Sequence, residues 1–416
     1  MRYALGMLSE VERRVVEALS TRRERMLADL AAWVALPTGP GGGAIEELRS
    51  ILCRRAEALG ARVEFVNTEA RPDWLYREPG ERASGRVPAT AICRCENARG
   101  GARFPLLISG HLDTVHTPSP EFGALRISPD GQRGLGPGCS DMKGGLVLAV
   151  HALETLREAG VHLDWTLILN ADEETGSFGS ARAIQREAAR VASAGGWGLA
   201  LEPSLPDGSI VTQRAGSGQF MIEARGKSAH AGRDFAKGAS AVVALARAID
   251  DAAQLPEPEL NRIVNFGPLL GGTTTNSVPD LARAWGNIRF ANAADAEALV
   301  RALKSICQSN ERGPGGTSLE LQHALARPAK EPLPRTRRLA ELIRAAGADL
   351  GQTIAFVTTG GVCDGNLMQA EGLATIDTLG VRGGGLHTRE EWVDLSGLVE
   401  RAALLAVTML RAAQTA

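Results

Sequence analysis

The first half of the chain alternates between helical and strand-like patterns of apolar positions. Apolar residues recur at helical spacing from Glu10 to Val34, with arginines on the opposite face, and a second helical pattern runs from Ala44 to Leu59 and closes at Gly60. The runs ARVEFV, PATAICRC, PLLISGHLDT and WTLILNADEE read as strands, and GGLVLAVHALETLREAG, between the last two, as an amphipathic helix. This alternation predicts an α/β layer fold with a largely parallel central sheet.

The pattern changes after Glu202. Between GSGQFMIEARG and TSLELQHAL, the predicted order is strand, helix, strand, strand, helix, strand. This order is typical of a small ferredoxin-like α+β sandwich, in which the helices cover one face of an antiparallel sheet. The alternation of helix and strand then resumes at PLPRTRRLAELIRAAG. We therefore expect a domain of residues 211–326 inserted into a larger one formed by residues 1–210 and 327–416.

Composition and charge exclude several classes of function. The chain has 416 residues and a net charge of −2, so it has no global basic field to attract nucleic acid or anionic lipid. No stretch approaches the ~20 apolar residues of a membrane span. The opening MRYALGMLSEVERRVVEAL lacks the pattern of a signal peptide, and the six cysteines show no C-x-x-C pairing. We expect a soluble cytoplasmic protein with neither nucleic-acid nor membrane partners.

Imidazoles and carboxylates follow the apolar runs. Ligands of α/β proteins bind beyond the carboxyl ends of the strands, so residues at these ends are the natural candidates for a site. They are His111 and Asp113 in SGHLDTVH, Asp141 in GPGCSDMKGG, Glu173 and Glu174 in ADEETGS, Glu202 in ALEPS, and His387 in GGGLHTREEW. Oxygen and nitrogen donors without thiolate suit a divalent metal such as zinc in an open catalytic site.

Three consecutive acids, Asp172 to Glu174, should repel one another where a buried strand surfaces. A pair of metal ions, with one carboxylate bridging them, would offset this repulsion. Any one acid at a strand end is more often solvated or caps a helix, and we assign Asp172 to the surface or to a supporting role. GPGCSDMKGG could pass for a phosphate-binding loop, but it lacks the G-x-x-x-x-G-K-[ST] spacing. The set taken together favours the metal site.

The sequence resembles the M20 zinc aminoacylase and carboxypeptidase family. The motifs that carry the resemblance occur in family order over nearly the whole chain: GHLDTV, GCSDMKGG, ADEETGS, LEPS, GKSAHAG, GGVCDGN and GGGLHT. The resemblance implies a catalytic domain with two zinc ions, for which Co²⁺ or Mn²⁺ could substitute. It also implies a smaller lid domain that usually forms a homodimer.

The resemblance also implies a metal-ligand set. His111 and Glu202 would hold one zinc ion, Glu174 and His387 would hold the other, and Asp141 would bridge the two. The peptide bond after the bridging aspartate is often cis in the family, so we expect the same for Asp141–Met142.

Two further carboxylates take their roles from the same resemblance. Asp113 would orient His111, as carboxylates commonly do for metal-bound histidines. Glu173 would be the general base, which takes a proton from the attacking water and passes it to the leaving amine.

The lid contributes the remaining candidates. His230 in GKSAHAG resembles the histidine that stabilises the oxyanion, commonly from the partner subunit. Asn276 and Arg289 resemble residues that grip a substrate carboxylate, a task that suits the planar guanidinium. Gly361 belongs to a loop that contacts substrate near the metals. An alternative for Arg289 is an ordinary arginine on a surface strand.

The carboxyl-terminal motifs favour one branch of the family. GGVCDGNLMQAEGLATIDTLGVRGGGLHT looks more like the glutamate carboxypeptidases than the desuccinylases, although Cys363 stands where a small hydroxyl or a glycine is expected. We therefore expect a dizinc hydrolase that releases a C-terminal amino acid, glutamate being one candidate, from a small peptide or an N-acyl conjugate. The alternatives are an N-acyl-amino-acid deacylase and, in another class, an inactive binding protein with the same fold.

Overall fold

The computed structural model describes residues 8–76, 87–96, 104–312 and 316–415. Within these ranges lie ten α-helices: α1 (Glu10–Ser20), α2 (Arg23–Val34), α3 (Ile45–Ala58), α4 (Lys143–Glu158), α5 (Ala181–Ser193), α6 (Ala241–Ala252), α7 (Ala293–Ser309), α8 (Pro334–Asp349), α9 (Asp364–Ala370) and α10 (Leu398–Ala412).

The same ranges contain sixteen strands. They are β1 (Arg62–Val66), β2 (Thr90–Cys95), β3 (Leu106–His111), β4 (Arg126–Ile127), β5 (Arg133–Leu135), β6 (Trp165–Asn170), β7 (Trp197–Ala200), β8 (Ile210–Arg214), β9 (Gly216–Arg225), β10 (Ile263–Gly271), β11 (Leu281–Phe290), β12 (Ser318–Arg327), β13 (Phe356–Thr359), β14 (Thr375–Ile376), β15 (Gly383–Gly384) and β16 (Trp392–Asp394).

The main sheet has six strands in the order β1-β2-β6-β3-β7-β14. The pairs β6–β3, β3–β7 and β7–β14 are parallel, whereas β1–β2 and β2–β6 are antiparallel. Strands β3 and β6 are buried along their whole length. The prediction of an α/β fold with a mainly parallel sheet is therefore confirmed.

Alternate residues of the central strands enter two different cores. Leu106 and Ile108 of β3 pack with α1, α2, α4, α8 and α10 on one face of the sheet. Leu107, which lies between them in sequence, packs with α5 and α9 on the other face. Burial on both faces explains the nearly continuous apolar runs in the sequence.

The pattern from Glu10 to Val34 forms two helices, not the single one that its spacing predicts. The first helix ends at Ser20, where hydroxyl groups satisfy terminal carbonyls: Ser20 Oγ donates to the carbonyl of Glu17 at 2.6 Å, and Thr21 Oγ1 donates to that of Ala18 at 2.8 Å. The second helix starts at Arg23. The apolar periodicity continues across the break between the two helices, so the sequence pattern does not reveal where the first helix ends.

A second sheet has four strands in the order β10-β11-β9-β12, and every neighbouring pair is antiparallel. Its even-numbered residues on β9 and β11, such as Ile222 and Ala284, pack against α6 and α7. The order β9-α6-β10-β11-α7-β12 along the chain is the predicted one. Division of the chain into domains at 210/211 and 326/327 stays a prediction.

Two smaller sheets complete the architecture. Strands β13 and β8 form a parallel pair, and β15, β16, β5 and β4 form a short sheet in that order. The loop between β15 and β16 carries His387. In the part of the chain that the structure describes, no helix is long and apolar enough to cross a membrane.

Candidate active site

The candidate ligands come from loops that meet at one edge of the main sheet. His111 is the last residue of β3, Glu174 follows β6, and Glu202 follows β7. These strands are parallel neighbours, so their carboxyl ends lie at the same edge. Asp141 approaches from the loop before α4, and His387 from the loop between β15 and β16.

Asp141 lies between the two histidines. Its Oδ1 is 3.0 Å from Nε2 of His111, and its Oδ2 is 3.5 Å from Nε2 of His387. The same nitrogen of His387 is 3.2 Å from Oε2 of Glu174. One ligand atom each of His111, Asp141 and Glu174 lies within 4.8 Å of the others, a spacing that could hold a metal ion.

Glu202 joins this cluster from the side of His111. Its Oε2 lies 4.0 Å from Nε2 of His111. Burial raises the pKa of Glu202 well above its ordinary value, and the charge of Asp141 raises it further. The five side chains thus divide into His111 with Glu202 and His387 with Glu174, with Asp141 reaching both histidines.

The electrostatics of the cluster call for positive charge. The contacts with Asp141 and Glu174 raise the pKa of His387 to about 10. Burial by itself would lower the pKa of His111, but the neighbouring carboxylates of Asp113 and Asp141 raise it well above its ordinary value. Among the described residues, the buried Oε1 of Glu174 has no hydrogen-bond partner. Two imidazoles and three carboxylates, one of them with an unpartnered oxygen, fit divalent cations.

Asp113 contacts His111 differently from the expected arrangement. Nδ1 of His111 lies 3.0 Å from the main-chain oxygen of Asp113 and 3.5 Å from its Oδ1. The carboxylate instead accepts hydrogen bonds from the backbone N–H groups of Glu173, at 3.3 Å, and Glu174, at 3.0 Å. Asp113 therefore contacts the imidazole and also fixes the turn that carries the two glutamates.

The peptide bond between Asp141 and Met142 is cis, as expected. The loop that contains it is held by Glu391, a residue that the sequence analysis did not select. Oε1 of Glu391 accepts from the backbone N–H groups of Ser140 at 2.9 Å and Asp141 at 3.0 Å. Its Oε2 accepts from the N–H of Gly138 at 2.9 Å. Glu391 lies in the quoted motif GGGLHTREEW, but nothing in its spacing distinguishes it from Glu390.

Glu173 points to an arginine rather than to a histidine of the cluster. Nη1 of Arg327 donates to its Oε1 at 2.7 Å, and Nη2 donates to its main-chain oxygen at 3.1 Å. Nη2 also donates to Oγ of Ser177 and lies 3.3 Å from Oδ1 of Asp364. Burial raises the pKa of Glu173 to about 7, although the charge of Arg327 opposes the rise. Sequence analysis missed Arg327, which follows the run TSLELQHALA.

Arg289 lies on the same face of the second sheet as Arg327. Both pair directly with Ser217 of β9, Arg289 from β11 and Arg327 from β12. Nη1 of Arg289 is buried and has no hydrogen-bond partner within the described ranges. Burial, followed by the positive charge of Arg327, lowers the pKa of Arg289. Arg289 is half-buried, and it forms no ion pair with any residue that the structure describes.

The structure does not bring His230 to the cluster of the same chain. Nδ1 of His230 accepts from the backbone N–H groups of Gly232 and Arg233, both at 3.2 Å. The segment that carries Asn276 lies beside it, since the carbonyl of Asn276 accepts from the N–H of Ala231 at 2.9 Å. Asn276 is exposed.

Gly361 is exposed, and its N–H donates to Oγ1 of Thr359 at 3.2 Å. A Cβ at Gly361 would lie 3.6 Å from Nη1 of Arg214, whose Nη2 pairs with the buried Asp377 at 2.9 Å. Cys363 is buried, and burial raises the pKa of its thiol well above the ordinary value.

The expectation of a surface position for Asp172 is wrong, because its side chain is buried. Its Oδ2 accepts from the N–H of Gly179 at 2.7 Å, and its Oδ1 accepts from Oγ of Ser180 at 2.6 Å. Burial raises the pKa of Asp172 to about 6. Asp172 thus supports the turn that carries Glu173 and Glu174, which leaves the supporting role as the correct alternative.

Known proteins with a similar sequence or a similar fold include peptidases and a desuccinylase. Carboxypeptidase G2 of Pseudomonas sp. is 28% identical over 355 residues, which cover 83% of this chain and 82% of that protein. Succinyl-diaminopimelate desuccinylase of Maricaulis maris is 25% identical over 331 residues, covering 75% and 82%. The structure of aminopeptidase PepT from Bacillus cereus shares the fold, with a TM-score of 0.71 and 23% identity over 94% of this chain and 99% of that one.

The family assignment follows from the extent of the match. Residues 107–411 match peptidase family M20/M25/M40, and this range contains every candidate ligand as well as Glu173 and Arg289. Homologues of this family are hydrolases that depend on metal ions. The chain therefore belongs to peptidase family M20/M25/M40 and is a hydrolase of the metallopeptidase and amidohydrolase type.

Proposed function

We propose that this hydrolase cleaves the amide bond that precedes a C-terminal amino acid in a small peptide or an N-acyl conjugate. The observation that carries the proposal is the half-buried guanidinium of Arg289, which has no anionic partner among the described residues. It shares a sheet face with Arg327, which in turn contacts Glu173 beside the cluster of ligands. A free carboxylate next to the scissile bond would neutralise the charge of this guanidinium and accept its unused hydrogen bonds.

His111 and Glu202 would hold one zinc ion, Glu174 and His387 the other, and Asp141 would bridge them. When bound, these ions supply a Lewis acid that polarises the scissile carbonyl. Glu173 takes a proton from the attacking water and delivers it to the leaving amine.

Arg289 orients the substrate through its carboxylate, and Arg327 keeps the Glu173 carboxylate in one direction. Gly361 leaves room for substrate beside Arg214, since it carries no side chain. Asn276 adds a carboxamide that can donate to the substrate carboxylate, and because its segment lies beside His230 it would enter the site together with that histidine. These groups bind and position, whereas the proton transfer is assigned to Glu173 alone.

His230 completes the site from a second copy of the chain in this proposal. An isolated chain does not bring His230 to its own cluster, and the oxyanion needs a donor. The second sheet offers an open edge for pairing with another chain, because β10 is its edge strand. Leu269 and Leu270 on this strand are 56% and 48% exposed. Val243 on the neighbouring α6 is 47% exposed. We propose that these residues lie in a homodimer interface.

Sedimentation equilibrium tests the dimer, and mixing of variants tests the shared site. Glu173→Ala and His230→Ala chains should each be nearly inactive alone. Mixed dimers should recover part of the activity, because one of the two sites then has both Glu173 and the partner's intact histidine. A monomeric active enzyme, or mixtures with no recovery despite exchange, would contradict this arrangement.

Turnover on a substrate panel tests the reaction. Zinc-loaded protein should hydrolyse dipeptides with a free C-terminal carboxylate and should lose most activity when that carboxylate is amidated. The likeness to a desuccinylase supports a second candidate, an N-acyl-amino-acid deacylase. N-acetyl amino acids in the same panel separate the two by their kcat/KM. An absence of turnover on every member would leave the inactive binding protein.

A further inference from the structure

A cavity of about 340 Å³ lies between the segment that follows α2 and the loop that follows β3. This volume is within the range of ordinary binding sites for small molecules. No residue of the second sheet, which carries Arg289, lines the cavity. Much of its wall is apolar and is formed by Val34, Phe122 and four prolines, Pro37, Pro118, Pro120 and Pro137.

A buried ammonium group lies in this wall. Lys143, the first residue of α4, lines the cavity and is 1% exposed. Its Nζ donates to the carbonyl of Leu36 at 2.8 Å, which is its one hydrogen bond to a described residue. No carboxylate oxygen in the described ranges lies within 4.0 Å of this nitrogen. A buried charge without an ion pair is costly, so an anion bound beside Lys143 would be stabilised.

Glu391 cannot easily supply that anion, because its carboxylate is already occupied. Its Oε1 accepts from two backbone N–H groups of the loop before α4, and its Oε2 accepts from a third. Oε2 also lies 2.7 Å from Nε2 of His116, which lines the cavity. Each oxygen of Glu391 therefore has two nitrogen partners, and the remaining N–H groups of Lys143 are left for a bound molecule.

Thr38 adds a second unused donor. It lines the cavity two residues after Leu36, the acceptor of the lysine, and its side chain is 1% exposed. Its Oγ1 is buried and has no hydrogen-bond partner within the described part of the chain. The cavity thus combines an ammonium group and a hydroxyl group with apolar walls. This combination favours a ligand that has one anionic group and an apolar body.

The cavity also adjoins the loops that carry the candidate metal ligands. Pro137 and Lys143, which both line the cavity, flank the loop that contains Asp141. Thr114, another residue of the wall, directly follows Asp113. A molecule in the cavity therefore contacts both ends of the loop that carries the proposed bridging ligand.

We propose that this cavity is an effector site for a small carboxylic acid with an apolar body, such as an arylacetate. The acid binds as a free molecule and not as part of the substrate, whose carboxylate is assigned to Arg289 on the second sheet. Its carboxylate accepts hydrogen bonds from Lys143 and Thr38. Its apolar body is buried against Phe122 and the prolines.

Occupation of the cavity should tighten the binding of zinc. The carboxylate offsets the positive charge of Lys143 close to Asp141, which weakens the repulsion between that charge and a divalent cation. This consequence rests on the proposed function and its metal site, whereas the binding of the acid does not.

Calorimetric titration of the full chain with phenylacetate tests the site. Phenylacetate should bind to both zinc-loaded and chelator-treated protein, and binding without zinc excludes coordination to the metal. Phenylacetamide, which has no charge, and acetate, which has no ring, should bind much more weakly. Each comparison removes one of the two features that the cavity recognises.

Thr38→Val should weaken the binding of phenylacetate by about 10- to 100-fold, the range for a lost hydrogen bond to a charged group. The fold should tolerate this change, because the hydroxyl has no partner among the described residues. Lys143→Met should weaken binding at least as much, and Thr38→Val is sufficient if the lysine variant does not fold. Lys304→Met is the matched control, because Lys304 is exposed on α7 and lies outside the cavity.

Zinc titrations with and without phenylacetate test the coupling. The wild type should bind zinc about fivefold more tightly in the presence of the acid, the low end for coupling between two sites. Thr38→Val should lose this difference. A difference that persists in the variant would place the acid on the zinc ions and would overturn the coupling.

Two results would overturn the effector site itself. In the first, phenylacetate binds only when zinc is present, or its affinity is unchanged by Thr38→Val. In the second, phenylacetate is a purely competitive inhibitor of dipeptide hydrolysis and Thr38→Val relieves the inhibition, which would make the cavity part of the substrate site. A protein that binds phenylacetate through Thr38 but binds no zinc would contradict the proposed function and leave the cavity site intact.

Discussion

Arg327 fixes Glu173 at two points, with Nη1 donating to Oε1 at 2.7 Å and Nη2 donating to the main-chain oxygen at 3.1 Å. The arginine is almost fully buried, and it reaches the loop after β6 from the end of β12. The second sheet therefore contributes directly to the orientation of the proposed base. This contact joins the sheet that carries Arg289 to the loop that carries the proposed base.

Replacing Arg327 should slow catalysis more than it weakens substrate binding. Arg327→Lys keeps a positive charge but cannot make both hydrogen bonds in the same geometry. We expect kcat to fall by about 10- to 100-fold, the equivalent of one hydrogen bond to a charged group, with a smaller change in KM. Steady-state kinetics on a dipeptide measures both constants, with Arg225→Lys as a control on the same sheet. An unchanged kcat would show that this contact does not orient the base.

Glu173→Ala separates proton transfer from metal binding. If Glu173 is the general base and not a ligand, the variant should bind as much zinc as the wild type. Its kcat should nevertheless fall by the ~10²–10⁴ typical of lost general-base catalysis. Zinc content and kcat are measured on the same preparation. Loss of zinc with this variant would mean that Glu173 is a ligand and that its role has been assigned wrongly.

Arg289→Ala should act mainly on KM. An interaction that is equally present in the ground state and the transition state raises KM when it is removed and leaves kcat nearly unchanged. The effect should be much smaller for a substrate whose C-terminal carboxylate is amidated, since that substrate has no charge for Arg289 to bind. Kinetics of wild type and variant on the matched acid and amide measure the difference. An equal loss of activity on both substrates would show that Arg289 stabilises the fold and does not bind the substrate carboxylate.

The ligand loops could be predicted from sequence because parallel strands bring their carboxyl ends to one edge. His111, Glu174 and Glu202 each follow a buried apolar run, so their meeting required only the fold class. The contact of Arg327 with Glu173 joins residues 154 positions apart, and that of Glu391 with Asp141 joins residues 250 positions apart. The spacing of apolar residues does not indicate which buried arginine or glutamate contacts a distant loop. These contacts depend on the tertiary packing.

Glu187 allows a test of the fold that is independent of catalysis. Burial by itself would raise the pKa of Glu187, but hydrogen bonds from Arg94 and Arg190 outweigh it and lower the pKa to about 2. Both oxygens accept from Arg94, at 2.6 and 2.9 Å, which attaches α5 to β2. A carboxylate with a depressed pKa stabilises the fold above its unfolded pKa. This contribution is lost as pH falls from about 4.5 towards 2.

Glu187→Gln should therefore lower the free energy of unfolding by about 3 kcal/mol at pH 7, the low end for breaking a buried ion pair. The difference from wild type should shrink as the pH is lowered below about 4.5. Urea denaturation at several pH values measures it, with Glu341→Gln in an exposed ion pair as the control. A difference that is constant over this pH range would contradict the assigned role of the ion pair.

Zinc stoichiometry combined with turnover tests the central claim most directly. Protein stripped by a chelator should be inactive, and titration with zinc should restore dipeptide hydrolysis as up to two ions bind per chain. Asp141→Asn should impair both binding events, because Asp141 reaches both His111 and His387, whereas Glu202→Gln should impair mainly one. Full activity in a verified metal-free preparation would contradict the account.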